Sequence, residues 1–182
     1  DDMLPGLNLL HLYGWEEGEL PGDWVAHFNR HLHGITTMSK FVSKVLVDNG
    51  VTVPQVVAGV GVDHWERVTP DFSYTLPKGA SGFRFLHVSS CFPRKGIDVL
   101  LRAWGRAFSA EDDVTLIIKT FPNPHNAAGT LLEAARRESD DYPNVLLIED
   151  DLTSGELKAL MTACHALVAP SRGEGFGLPL AE

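Results

Sequence analysis

Between residues 83 and 182 short apolar runs alternate with amphipathic stretches, and this alternation constrains the fold more than any other feature of the chain. FRFLHVSS (83–90), VTLIIKT (114–120), NVLLIED (144–150) and HALVAPS (165–171) are continuous apolar runs of strand length. IDVLLRAWGRAF lies between the first two, with Ile97, Leu100, Leu101, Trp104, Ala107 and Phe108 at helical spacing. Helices are also predicted over 127–138, over 154–164 with Thr153 or Ser154 as cap, and from about Leu178 onward. Strand and helix in strict turn predict an α/β domain, with a parallel sheet covered by helices on both faces. Ligands of such sheets bind at the carboxyl ends of the strands. Two motifs, PRKG and GEGFG, directly follow strands.

The first half is less regular. LNLLHLY (7–13) reads as a buried strand, WEEGELPGDW (15–24) as a loop, and VAHFNRHLHG as a short helix ended by Gly34. Ser39 is a good N-cap for a helix with Phe41, Val42, Val45 and Leu46 on one face and Gly50 as its stop. VTVPQVV is β-branched and turns follow at Gly59 and Gly61. Residues 63–82 are polar, with two Pro and two Gly, and read as a linker.

Composition narrows the function. The net charge of −9 argues against a nucleic-acid partner, which needs a basic stripe. No apolar run approaches a membrane span, and LPGLNLLHLYGW lacks the basic start and cleavage site of a signal peptide. The two cysteines, Cys91 and Cys164, fit buried thiols in a reducing compartment. A cytoplasmic protein is therefore expected, with peripheral attachment to the membrane face left open.

In GEGFG, the glycines Gly173, Gly175 and Gly177 let a ligand approach the backbone, and Pro179 suits the first turn of the following helix. The free N–H groups at that helix start suit a phosphate. Glu174 beside such a site is better matched to sugar hydroxyls, and Glu182 to ribose hydroxyls. A strand-to-helix turn with two solvated glutamates is the plain alternative. In PRKG, Lys95 can neutralise a diphosphate as a point charge, with Arg94 assisting or facing solvent. A cation at a helix start is locally unfavourable, which favours a ligand there. Elsewhere, His27 and His31 have metal-ligand spacing but lack an evident third ligand. His125 fits a turn or a place facing the cleft, Glu16 and Glu17 a solvated loop or the acceptor side of the cleft, and the tryptophans packing, while Cys91 has no base partner that would make it a nucleophile.

With E-G-F-G-L-P-x-x-E around Glu174 and Glu182, RKGIDVLLRAW and LTSGELKALMTACHALVAPS, residues 81–182 resemble the C-terminal domain of family 4 retaining glycosyltransferases of the GT-B fold. The family signature is E-x7-E. TMSKFVSKVL and GVGVDHW resemble the end of the family's N-terminal domain. The resemblance implies Rossmann-like sheets: residues 1–65 as part of an acceptor-side domain, 66–82 as interdomain linker, and 83–182 as part of a nucleotide-sugar domain, the chain being truncated at both ends. It further implies transfer of a hexose, with retention, from a GDP- or UDP-linked sugar to a saccharide or lipid-linked acceptor. No cofactor or metal is implied. Glu174 would be catalytic. Arg94, Lys95, Gly175, Phe176, Gly177, Leu178 and Glu182 would hold the donor, with the base near 148–152. SSCFPRKG and IIKTFPNPHN resemble bacterial mannosyltransferases of polysaccharide assembly, so mannose is the narrower expectation. Many members carry a Gly-Arg pair at the end of the first C-terminal strand, where this chain has Ser89 and Ser90. A non-catalytic nucleotide-binding fragment, a sugar phosphorylase and a nucleotide-sugar epimerase are the alternatives.

Overall fold

A computed structural model describes residues 5–182; the first four residues of the expected 1–65 segment lie outside it. Two compact units are present. One runs to Val62 and takes in Gly173–Leu178; the other comprises Asp63–Arg172 and Pro179–Glu182.

In the first unit β1 (Leu9–Tyr13), β2 (Gly34–Thr37) and β3 (Gln55–Val57) form a parallel sheet in the order β1-β2-β3. The connecting helices α1 (Gly22–His31) and α2 (Lys40–Asp48) share one core, in which Ile35, Val45, Leu46, Val51 and Val53 meet Val25 and Phe28. Ser39 caps α2 as expected, its hydroxyl accepting from the Val42 N–H at 3.2 Å. Val42, Val45 and Leu46 are buried, but Phe41 remains 44% exposed at the edge of the apolar face. The expected loop over 15–24 is shorter: Trp24 and Val25 donate back to the Pro21 carbonyl and Asp23 sits in the first turn, so α1 begins at Gly22. That helix stops at His31, and Gly34 opens β2 rather than ending the helix. Strand β1 is not buried as expected. It edges the sheet, and Leu9 is 64% exposed. A bulge between Leu10 and Tyr13 places Leu12 at φ 48°, and its N–H turns to the Thr36 hydroxyl at 2.8 Å.

The second unit opens with the short helix α3 (Asp63–Arg67) where the sequence reads as linker. The segment after it is packed: Tyr74, Leu76 and Ala80 join a core cluster, and the Asp71 N–H donates to Gly155 O. Strands β4 (Phe83–Val88), β5 (Val114–Lys119), β6 (Val145–Ile148) and β7 (Ala166–Leu167) are parallel in the order β6-β5-β4-β7. Helices α4 (Ile97–Ala107), α5 (Ala128–Glu138), α6 (Ser154–Ala163) and α7 (Leu178–Ala181) complete the alternation. Leu116 and Ile118 enter one core with α4 and α5, while Ile117 enters the other with Leu86, Ile148 and Leu160. The sheet is thus covered on both faces, a Rossmann-like arrangement of α/β type. Two details depart from expectation. Ala107 is exposed and Phe108 caps α4 in extended conformation. Strand β7 has only two residues; after Val168 donates to Leu86 O the chain reaches Pro170, which has no N–H to continue the ladder.

Candidate active site

The strand order places the candidate site. From β4 the chain steps through β5 and β6 on one side, then returns to β4's other side as β7. Neighbouring strands whose onward connections diverge leave a crevice at their carboxyl ends, where open α/β sheets bind ligands. PRKG follows β4, and the run Pro170, Ser171 and Arg172 follows β7.

The end of β4 is held by a buried polar chain. His87 is only 1% exposed. Its Nδ1 lies 2.8 Å from Val168 O, an acceptor, so Nδ1 carries the proton and ties β4 to β7. Nε2 then accepts from the Ser89 hydroxyl at 2.7 Å, and Ser89 Oγ accepts from the Cys91 N–H at 3.0 Å. Burial pushes the imidazole below its ordinary value, the Val168 bond opposes this, and the Lys95 charge adds to the lowering. The turn closes with Cys91 at φ 52° and with the Asn123 amide donating to Ser90 O at 3.0 Å.

Residues Pro93–Lys95 then form one turn of 3-10 helix, which places Arg94 and Lys95, both half-buried, before α4. Gly96 ends this turn at φ 73°, and a Cβ there would stand 2.1 Å from Pro170 O. Only glycine allows the two strand-end loops to approach so closely.

Arg172 joins these loops. Its N–H donates to Arg94 O at 2.7 Å. Its guanidinium donates to Pro93 O at 2.5 Å and grips the Asp98 carboxylate with two bonds of 2.9 and 2.7 Å. The guanidinium holds the Asp98 carboxyl below the usual carboxylate range. Neither Arg172 nor Asp98 is found by reading motifs; their one signal is adjacency, Arg172 before the glycine-rich loop and Asp98 two residues after PRKG.

Glu174, Gly175, Phe176, Gly177 and Leu178 belong to the first unit. Within it a Cβ on Gly173 would lie 2.4 Å from Glu16 O, and one on Gly175 would meet Met38 Sδ at 3.1 Å and Trp15 N at 3.4 Å. Gly177 has φ 83°. These glycines therefore fit the loop against residues 15–16 and Met38, and Glu174 is half-buried in it. In the second unit Glu182 follows α7 directly, with its side chain 12% exposed and Oε1 3.2 Å from His64 Nε2. His64, on α3, is a partner that sequence reading did not identify.

The remaining candidates lie elsewhere. The His27 and His31 rings lie tilted to one another with centroids 4.4 Å apart, and among the described residues no three His, Cys, Asp or Glu side chains converge. The His125 ring meets the edge of Phe92 at 5.4 Å. Burial pushes the Cys164 thiol up to about 11, which leaves it protonated and unreactive. Trp104 is core, and Trp15 packs against Tyr13 and Trp24. Among the described residues no helix is long and apolar enough to cross a membrane.

Residues 82–182, more than half of the chain, match the family model described as glycosyl transferases group 1. No curated protein matches the chain.

Proposed function

Because this chain belongs to the glycosyl transferases group 1 family, whose chemistry joins a sugar donor to an acceptor, we propose that it is part of a family 4 enzyme. That enzyme moves a hexose, with retention, from a nucleotide-diphosphate sugar to a saccharide or lipid-linked acceptor. The observation that supports this most is the strand order, which puts the PRKG turn after β4 beside the segment leaving β7, at the end of the sheet where such folds bind ligands. The main charge that develops in glycosyl transfer is on the departing diphosphate. Lys95, aided by Arg94 and main-chain amides, carries the matching positive charge, so no metal ion is required. Glu182 accepts from the ribose hydroxyls, and the half-buried position of its carboxylate against His64 suits that role. Glu174 orients the donor sugar and stabilises the oxocarbenium-like state, while Gly175, Phe176, Gly177 and Leu178 shape the loop around it. GDP-mannose is the narrower donor proposal, and the reaction belongs at the cytoplasmic face.

Calorimetric titration of the chain with GDP, UDP and ADP tests the reading. One nucleotide is expected to bind selectively, with Lys95→Ala weakening it about tenfold, the scale of one charge-assisted contact. A folded chain that binds none of the three, or a Lys95→Ala variant with unchanged affinity, would sink the assignment of this site.

A further inference from the structure

We infer that Arg172 is a positioning residue: through Asp98 and the Pro93 and Arg94 carbonyls it sets the PRKG turn so that Lys95 meets the donor diphosphate. The inference rests on the proposed role of Lys95 and adds the device that aims it.

The contacts are unusually concentrated. One residue makes two side-chain bonds to Asp98, one side-chain bond to Pro93 O and one main-chain bond to Arg94 O. All of them fall on residues 93–98, which bracket Lys95 on both sides. The fork on Asp98 is the planar, two-bond geometry that fixes direction as well as distance. On the same side, Gly96 lies so close to Pro170 O that a methyl group would not fit. The turn between β4 and α4 is thus registered against the segment leaving β7 at several points.

The Arg172 and Asp98 side chains are 50% and 37% exposed, so water screens the pair and limits what even this forked geometry contributes to folding. A short, forked, half-exposed pair that determines where a neighbouring backbone sits is better explained by what that backbone carries. A lysine on a flexible stem has three rotatable donors and no preferred direction of its own. Its usefulness as a phosphate ligand depends on where its backbone is held.

Arg172 is itself a cation near the crevice, so a direct phosphate contact is the rival explanation, and Asp98→Asn separates the two. The test is calorimetry with GDP, UDP, ADP and GMP on the chain and on Arg172→Met, Arg172→Lys, Asp98→Asn and the double variant Arg172→Met/Asp98→Asn. Melting temperatures are measured in parallel. For a positioning role, each single change weakens the preferred nucleoside diphosphate about tenfold while the melting temperature stays within a few degrees. Arg172→Lys is then no rescue, since it keeps the charge but loses the fork, and the double variant is no worse than the worse single one. With GDP as the bound nucleotide, its advantage over GMP shrinks too. Unchanged or tighter binding by Asp98→Asn would overturn the inference in favour of direct contact. Unchanged binding by every variant would leave only a surface ion pair. Absence of nucleoside-diphosphate binding by the unaltered chain would overturn the reading of the site, and the inference with it.

Discussion

The two units build the same motif, parallel strands joined by helices, but finish it differently. In the four-stranded sheet β5 is buried along its centre: Leu116 and Ile118 pack into one core and Ile117 into the other. In the three-stranded sheet one core serves both helices, while Leu9 and Val56 are 64% and 65% exposed. A parallel sheet gains its stability by burial of both faces. Parallel pairing can thus be alike while the energy behind it differs, and two kinds of aliphatic strand residue that look the same in the sequence part company in the fold.

The sharpest way to break that contrast is to truncate one of each. Ile117→Ala removes buried methylenes from a site with no exposed surface and is expected to destabilise the second unit by about 2–5 kcal/mol. Val56→Ala, on an exposed strand position, is expected to cost less than about 0.5 kcal/mol. Urea unfolding of both variants measures the difference. Equal losses would mean that Val56 is covered in solution and that the two sheets are alike.

The buried histidine sharpens the contrast in another way, because among the described residues it is in the second unit that a fully buried imidazole sits near a strand end. Burial lowers the folded-state value of His87 below the unfolded value of about 6.5. The unfolded chain therefore takes up a proton that the folded chain refuses. The stability due to neutral His87 is fully present above about pH 6.5 and is lost as pH falls toward the folded value, with a slope of at most about 1.4 kcal/mol per pH unit. Melting between pH 7.5 and 5 should show this acid loss in the unaltered chain and a flatter profile in His87→Gln. Parallel profiles would mean that His87 is not refusing a proton.

What the sequence made legible follows from which interactions are local. The four strands of 83–182 are announced by their apolar runs and the helix after PRKG by its periodicity, while cap chemistry pointed to Ser39 and to Thr153 or Ser154. Residues 63–82 looked like linker because Pro, Gly and polar residues dominate, although Tyr74 and Leu76 had the apolar surface to dock on the sheet. The exposure of Leu9 and the two-residue length of β7 depend on what lies beside each strand, which no local pattern records. The same holds at the site. Lys95 and Glu174 could be picked out because a charge in a glycine- or proline-marked turn is conspicuous. Arg172 with Asp98, and His64 with Glu182, are pairs across 74 and 118 positions, and only the folded chain brings them together.

The smallest expected effect compares the two units at their helix starts. Ser39 caps α2 alone, by accepting the Val42 N–H. Thr153 caps α6 in a reciprocal box: Glu156 N–H donates to Thr153 Oγ1 at 3.2 Å, and the Thr153 N–H and hydroxyl both donate to Glu156 Oε2 at 2.8 Å. Loss of either hydroxyl to alanine should cost about 1 kcal/mol. The consequences differ after that. In Ser39→Ala the orphaned N–H has no side chain left to replace the cap. In Thr153→Ala the Glu156 carboxylate still holds the backbone N–H of residue 153, so part of the box survives. Thr153→Ala and Glu156→Ala should therefore couple, the double variant losing about 0.5 kcal/mol less than the sum of the singles. Amide exchange along α2 and α6 reads each helix start separately. Strict additivity at Thr153 and Glu156 would mean that the box acts as two independent caps, and the two helices would then begin with the same security despite their different surroundings.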